Sequence, residues 1–360
     1  MAEVEGAATV TRRKVKEEYK KFIGRKVLFI SFFILLTILL CGISMSLGPL
    51  NFSVLEVYAT VLDKFFPNFF AVPELAPRVI WYIRLPRILM AIVAGAGLAI
   101  AGAEMQGILR NPLASPFTLG ISTGAGLGAA LAIIAGVGFI GGGFLLVGNA
   151  FLFSLIPSFV IVGLARFKRA TPETMILAGI AMTYIFSAVS SLLHYFSEAE
   201  ELKDVIVWLM GSLGRATWGN LSIISLVLVV CIPLLMWKSW DLNVMGAGDE
   251  TAKSLGINVE RTRIFIMMVA SLITATIVCF TGMIGFIGLV APHITRICIG
   301  GDNRFVIPAS GAFGAAFLVG ADIIAREIMA PAILPVGIIT SCVGGPLFLY
   351  LIIKRKREYW

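Results

Sequence analysis

The chain has 360 residues, of which 58% are hydrophobic and only 14% charged, with a formal net charge of +8; its mean hydropathy is +0.94. A soluble domain carries charge on about a quarter of its residues, so these figures exclude a soluble globule and read as an all-α polytopic membrane protein. Cys41, Cys231, Cys279, Cys298 and Cys342 are scattered singly without CxxC spacing, which excludes a disulfide framework and offers no metal site.

A membrane span needs about 20 apolar residues, so this length has room for about ten. Residues 1–26 form a basic tail holding Arg12, Arg13, Lys14, Lys16, Lys20, Lys21, Arg25 and Lys26. The tail reads as a solvated positive anchor ahead of the first span, 27–47, which is too long and lacks the small-residue pattern of a cleavable signal. Residues 27–360 read as a single transmembrane domain. The proline-bearing segment 48–87 is placed outside, and a second span covers 88–108. Arg110-Asn111-Pro112 then breaks the chain, and Ser115-Pro116 starts a third span, 117–140. Glycines 141–143 turn into a fourth span, 144–167. A basic loop with Arg166, Lys168 and Arg169 precedes the fifth, 175–196; 198–219 reads as an interrupted surface helix, and 221–237 as the sixth span.

Residues 264–299 are uniformly apolar and as one helix would be about 54 Å long, against a hydrocarbon core of about 30 Å. They must fold back, with the break assigned to Gly282, Gly285, Gly288 and Pro292, giving a seventh span and a short eighth element. The ninth and tenth spans are 306–328 and 333–353, before Lys354, Arg355, Lys356 and Arg357.

Between the sixth and seventh spans lies a polar island, 245–263, reading MGAGDETAKSLGINVERTR. Asp249 is the expected N-cap and Gly256 the expected stop of a short helix outside the membrane, a surface offered to a soluble partner. Ten spans put both termini on one side. Assigning them, the island and the basic loops to the cytoplasm places most of the 29 lysines and arginines inside. Arg84 and Arg87, in RLPR, and Arg326, four residues after Asp322, fall on the outer side, where a positive cluster suits the carboxylates of a soluble partner. Glycines 120, 124 and 128 would let helices approach closely, within the subunit rather than at a dimer seam.

The stretches RLPRILMAIVAGAGLAIAGAEMQGILRNPLASPFTLGISTGAG (84–126), GDETAKSLGI (248–257), GFIGLVAPHITR (285–296), GADIIARE (320–327) and LPVGIITSCVGGPLFLYLI (334–352) resemble the permease subunit of type II ATP-binding-cassette importers. These importers take up iron chelates, haem and cobalamin. The resemblance implies a ten-helix subunit of a cell membrane, dimerising around a central pathway for an iron-siderophore or related chelate. Two ATPase subunits would use ATP and Mg, and an extracytoplasmic binding protein would deliver cargo. It implies docking of that protein at Arg84, Arg87 and Arg326. It also implies ATPase coupling through about 245–260 by Asp249, Glu250, Ala252, Lys253, Leu255 and Gly256. One departure lies in the loop before the fifth span, where Thr171, Pro172 and Glu173 stand at the candidate inner gate in place of small hydroxyl residues.

No GxxxxGK[ST] sequence occurs, so this chain is expected to be a transport subunit binding no cofactor of its own rather than an enzyme. Cobalamin, haem and molybdate stand as alternative cargo. Two rival classes are weighed. Gly246-Ala247-Gly248-Asp249 formally matches the GxGD of intramembrane aspartyl proteases, but the aspartate lies in a polar loop and no Tyr-Asp pair occurs. An ion-coupled carrier would use Glu104, Asp322, Glu327 or His293. For His293 a structural hydrogen bond at the helix break is the better expectation.

Overall fold

The computed structural model describes the backbone of residues 2–354, apart from positions 49, 51, 65, 68, 69, 71, 166, 168 and 169, and the side chains of 23–350 and 353 outside those positions. The expectations for the basic residues of 12–21, for the loop cations at 166, 168 and 169 and for the basic C-terminal run lie outside the described side chains. Among the described residues all regular structure is helical. Seven helical stretches are long and apolar enough to cross a membrane, and three shorter apolar helices bring the set to the ten expected.

α1 (Ala2–Ser46) carries the first span, and α2 (Val54–Asp63) lies in the segment after it. α2 starts with a reciprocal cap, Ser53 and Glu56 each accepting the other's backbone N–H. The second span, expected from 88, continues a helical stretch that begins twelve residues earlier. α3 (Ala76–Val79) runs through a π-helical turn, Ile80–Arg84, into α4 (Leu85–Leu109). In that turn the Leu85 N–H donates to the Ile80 carbonyl, one residue beyond the α register. Pro86, which has no N–H to give, is accommodated where the ladder has already slipped.

Arg110, at φ 47°, closes α4, and Ser115 and Thr118 cap a 3-10 turn, Pro116–Leu119. The third span is shorter than expected. α5 (Ile121–Ile134) has 14 residues, about 21 Å of helix, because the 3-10 turn uses up its first residues. α6 (Leu145–Leu164), α7 (Pro172–Phe196), α8 (Ala199–Leu209) and α9 (Trp218–Gly246) follow, then the short α10 (Asp249–Ser254) and α11 (Val259–Thr281). The expected break after α11 is present but differently made. Gly282 at φ 70° ends α11 and Phe286 at φ 67° starts α12 (Ile287–Ile299), so Gly288 and Pro292 lie inside α12. α13 (Asn303–Glu327) and α14 (Val336–Lys354) complete the chain.

α4 and α11 are the buried centre, whereas α1, α7 and α9 keep apolar faces outward. α4 and α13 run antiparallel, as the pairs Arg87 with Asp322 and Gly95 with Gly314 require. They meet backbone to backbone: a Cβ on Gly95 would lie 2.4 Å from the Gly314 oxygen, and one on Gly314 2.4 Å from the Gly95 oxygen. On α12, Pro292 leaves the Gly288 carbonyl without its helical donor. That oxygen sits where a Cβ on Gly102 would be, 1.8 Å away. Glycines 124 and 128 do the same for α5 against Phe153 and Asn149 of α6, so this run seals the subunit internally.

Candidate functional site

A cavity of about 620 Å³ opens where helices stop rather than along their sides. Its wall takes Ser115 and Phe117 from the 3-10 turn, Met210 from the end of α8, Phe286 from the break before α12, and Ser341 from α14. Among the described residues none lining it is charged. A hydroxyl-rich recess of about 250 Å³ adjoins it through Ser122, Leu209 and Met283, and adds Ser187, Ser190 and His194 of α7. Irregular backbone at membrane depth is tolerated only where it is packed in protein or faces such a cavity.

At one end of α4 lies the polar island. α10 forms as expected, but Gly248 is its N-cap and Asp249 its first residue, with no side-chain cap. Its stop is the one expected: Gly256 takes φ 84°, its N–H donating to the Lys253 carbonyl and that of Ile257 to Ala252, the paired bonds of a Schellman close. Ala252 is buried against Met245 and Val259, which fixes the inner face of the helix. The outer face is Glu250, Lys253 and Leu255. Leu255 is 67% exposed, and Lys253 reaches back to Glu250 at 2.8 Å.

Asp249 is turned inward. It accepts from Arg110 at 3.0 Å and, through both of its oxygens, from one Arg263 nitrogen at 3.0 and 3.1 Å. Arg263 is fully enclosed and gives its other nitrogens to the Ile108 carbonyl at 3.1 Å and the Ala170 carbonyl at 2.6 Å. Partners that are arginines rather than a second carboxylate do not make an acid dyad.

At the same end Asp302 caps α13, accepting from Asn243 of α9 at 2.9 Å, Arg304 at 2.7 Å and Lys26 of α1 at 3.5 Å. Burial pushes its pKa up, but the hydrogen bonds from Arg304 and Asn243 and the nearby Lys26 charge outweigh it and hold the carboxyl well below the usual range.

The candidate gate residues are a helix start. Thr171 accepts the Thr174 N–H at 3.3 Å, Pro172 is the first residue of α7, and Glu173 lies exposed in its first turn.

The opposite end of α4 gathers Arg84, Arg87 and Arg326, as expected, but buries them. Arg87 holds Asp322 through two nitrogens at 2.8–3.2 Å, and Arg326 reaches the other side of the same carboxylate at 3.2 Å. Arg326 also donates to the Ser44 and Leu47 carbonyls, and Arg84 to those of Met45 and Leu50. The i,i+4 spacing of Asp322 and Arg326 brings them together, and Arg87 joins them from 235 positions away. Among the described residues, Lys64, Arg78, Lys203 and Arg215 are cations left exposed on this side. Of the carrier candidates, Asp322 is neutralised in this way, Glu327 is exposed, and His293 packs edge-on to Phe348 of α14. Both oxygens of Glu104 are buried without a hydrogen-bond partner among the described residues.

The model of the FecCD transport family matches residues 35–354. The chain belongs to that family. Relatives of the FecCD chain include a protein of Methanocaldococcus jannaschii described as an ABC transporter permease, 46% identical over 96% of this chain and 99% of its own length. The hemin transport system permease HmuU of Yersinia pestis is 37% identical over 92% of this chain and 97% of its own. A solved chain described as an inward-facing metal-chelate type ABC transporter superposes with a TM-score of 0.80 at 29% identity, covering 91% of this chain and 99% of that one. This FecCD protein is therefore a membrane-embedded ABC importer permease with the type II fold. The residue that sequence reasoning undervalued is Arg263. A cation at the threshold of an all-round apolar helix must draw its partners from other segments, and that was the available signal.

Proposed function

We propose that this FecCD chain forms, with a second copy, the translocation pathway of an ATP-driven importer for an iron-siderophore or related metal chelate. The observation that carries the cargo class is the uncharged cavity of about 620 Å³. A chelate that hides its metal's charge in an organic shell crosses such a wall without losing hydration energy that nothing repays. A bare oxyanion such as molybdate would need cationic donors there. Haem and cobalamin share the enclosed-metal chemistry and stand as alternatives, each having a permease similar to this chain.

In this reading two ATPase subunits using ATP and Mg engage the exposed face of α10 on the cytoplasmic side, where both termini also lie. Glu250, Lys253 and Leu255 form the contact, while Ala252 and Gly256 set the shape of the helix and Asp249 anchors it. Helix motion under ATP passes to α7 and α14 as rigid bodies, the start of α7 at Thr171, Pro172 and Glu173 acting as the inner gate. An extracytoplasmic binding protein delivers cargo at the far end through acidic side chains drawn to Arg84, Arg87 and Arg326. Those guanidinium groups lie just under the surface, so a partner carboxylate must share or displace Asp322.

The test is uptake of a radio-iron hydroxamate chelate into proteoliposomes holding the permease, its ATPase and its binding protein. ATP-dependent accumulation supports the reading; uptake that ignores ATP and follows a proton gradient overturns it in favour of an ion-coupled carrier. For the docking role, Arg87→Gln in the assembled transporter should weaken capture of the binding protein by about tenfold, and unchanged capture removes that role.

A further inference from the structure

We infer that Arg263 is the joint through which α10 moves α7, a positioning residue for transport. Its guanidinium uses every nitrogen, and each goes to a different place. Nε donates to Ile108 at the end of α4, one terminal nitrogen to Ala170 directly before α7, and the other to both oxygens of Asp249 on α10. Three chain segments that are remote in sequence are thus held by one planar group of fixed geometry, which neither lysine nor any other side chain reproduces.

The joint is stiff. The Arg263 side chain is 1% exposed and Ala170 2%, so water cannot take over a contact that loosens, and a displaced carbonyl is left unsatisfied. Arg110, the cap directly after α4, braces the same carboxylate at 3.0 Å. α10 therefore cannot shift along the membrane plane without drawing the Ala170 carbonyl with it. Ala170 is followed by the Thr171 cap and the fixed Pro172 start of α7, so that displacement enters a helix already locked at its first turn. Farther along, α7 supplies Ser187, Ser190 and His194 to the recess beside the cavity. A push on the exposed face of α10 arrives at the pathway wall by a continuous route of short contacts.

This rests on α10 being the ATPase contact, and the two ideas fail separately. If the wild-type complex shows no ATP-driven uptake, the importer reading falls; if it does, the joint is tested by two measurements on the complete transporter in proteoliposomes. The first is radio-iron hydroxamate chelate transported per ATP hydrolysed. Arg263→Lys keeps the charge and loses the fork, and should lower this ratio by about tenfold, the scale of a typical coupling free energy. The second is the distance between spin labels placed at Glu250→Cys and Leu177→Cys in a cysteine-free background, with and without ATP and vanadate. With Arg263 present the α10 to α7 distance should stay narrow through the cycle; in Arg263→Lys it should broaden. Should that variant fail to assemble, Asp249→Asn, at a partly exposed side chain, carries the same two readouts. An unchanged ratio together with an unchanged distance distribution in an assembled variant overturns the proposal.

Discussion

Asp322 is the residue on which the far end of the bundle depends. One carboxylate is shared by Arg87 and Arg326 in a place where all three side chains are at most 10% exposed. Such a triad contributes little net stability while intact, because desolvation offsets the attraction. Removing its single anion is another matter, since two guanidinium groups are left facing each other. Asp322→Asn should cost about 3–5 kcal/mol, read as a fall in melting temperature in detergent; a melt within a degree or so of wild type would show that the arginines relax outward. Asp302 differs by having a direction in pH. Its folded pKa is depressed, so its contribution is fully present above the unfolded value of about 4 and is lost as pH falls through the folded one. Asp302→Asn should accordingly lower stability at pH 7, and the gap between variant and wild type should narrow as the buffer is made acidic. A gap that widens on acidification contradicts the assigned shift.

Among the elements, α4 and α12 show how little room the packing leaves. The Gly288 oxygen lies 1.8 Å from where a Gly102 Cβ would be and belongs to backbone, which cannot swing aside. Gly102→Ala should therefore cost about 1–3 kcal/mol, as overpacking does, and expression of folded protein in membranes should drop accordingly. α10 has the opposite character, with an inner face locked by Ala252 and an outer face ending in Leu255. Leu255→Arg puts a charge where the proposed ATPase contact is apolar; it should leave folding intact and abolish ATP-driven uptake, and normal uptake would remove the contact from this face. These elements also mark how far the sequence could be read. Span number and the polar island were legible because apolar run length and isolated charge are local properties, and the Gly256 stop was legible because a left-handed position wants glycine. Two features were not. The π turn before Pro86 is a register slip that leaves no compositional trace. The burial of Arg84, Arg87 and Arg326 depends on Asp322 and on carbonyls at and just after the end of α1, partners that no local spacing announces. Gly288 and Pro292 looked like breakers, yet Gly288 sits in the first turn of α12 and Pro292 inside it removes only one backbone bond, while Phe286, a residue with no breaker signature, takes the left-handed turn instead.

For the molecule as a whole, the proposed orientation makes one sharp demand. A cysteine at Glu250 should react with a membrane-impermeant maleimide only from the cytoplasmic face, and one at Arg78, which is exposed at the other end of the bundle, only from outside. Reaction of both from one compartment would dismantle the importer assignment while leaving the fold untouched. The cavity wall has a further consequence. Because the wall is built from serines, aromatics and aliphatic groups with no fixed charge among the described residues, a small hydrated ion entering it meets no counter-charge to replace its water shell. The same surface that lets a bulky chelate slide past thus works as electrical insulation, and a cell could keep many such permeases in its membrane without dissipating the voltage across it.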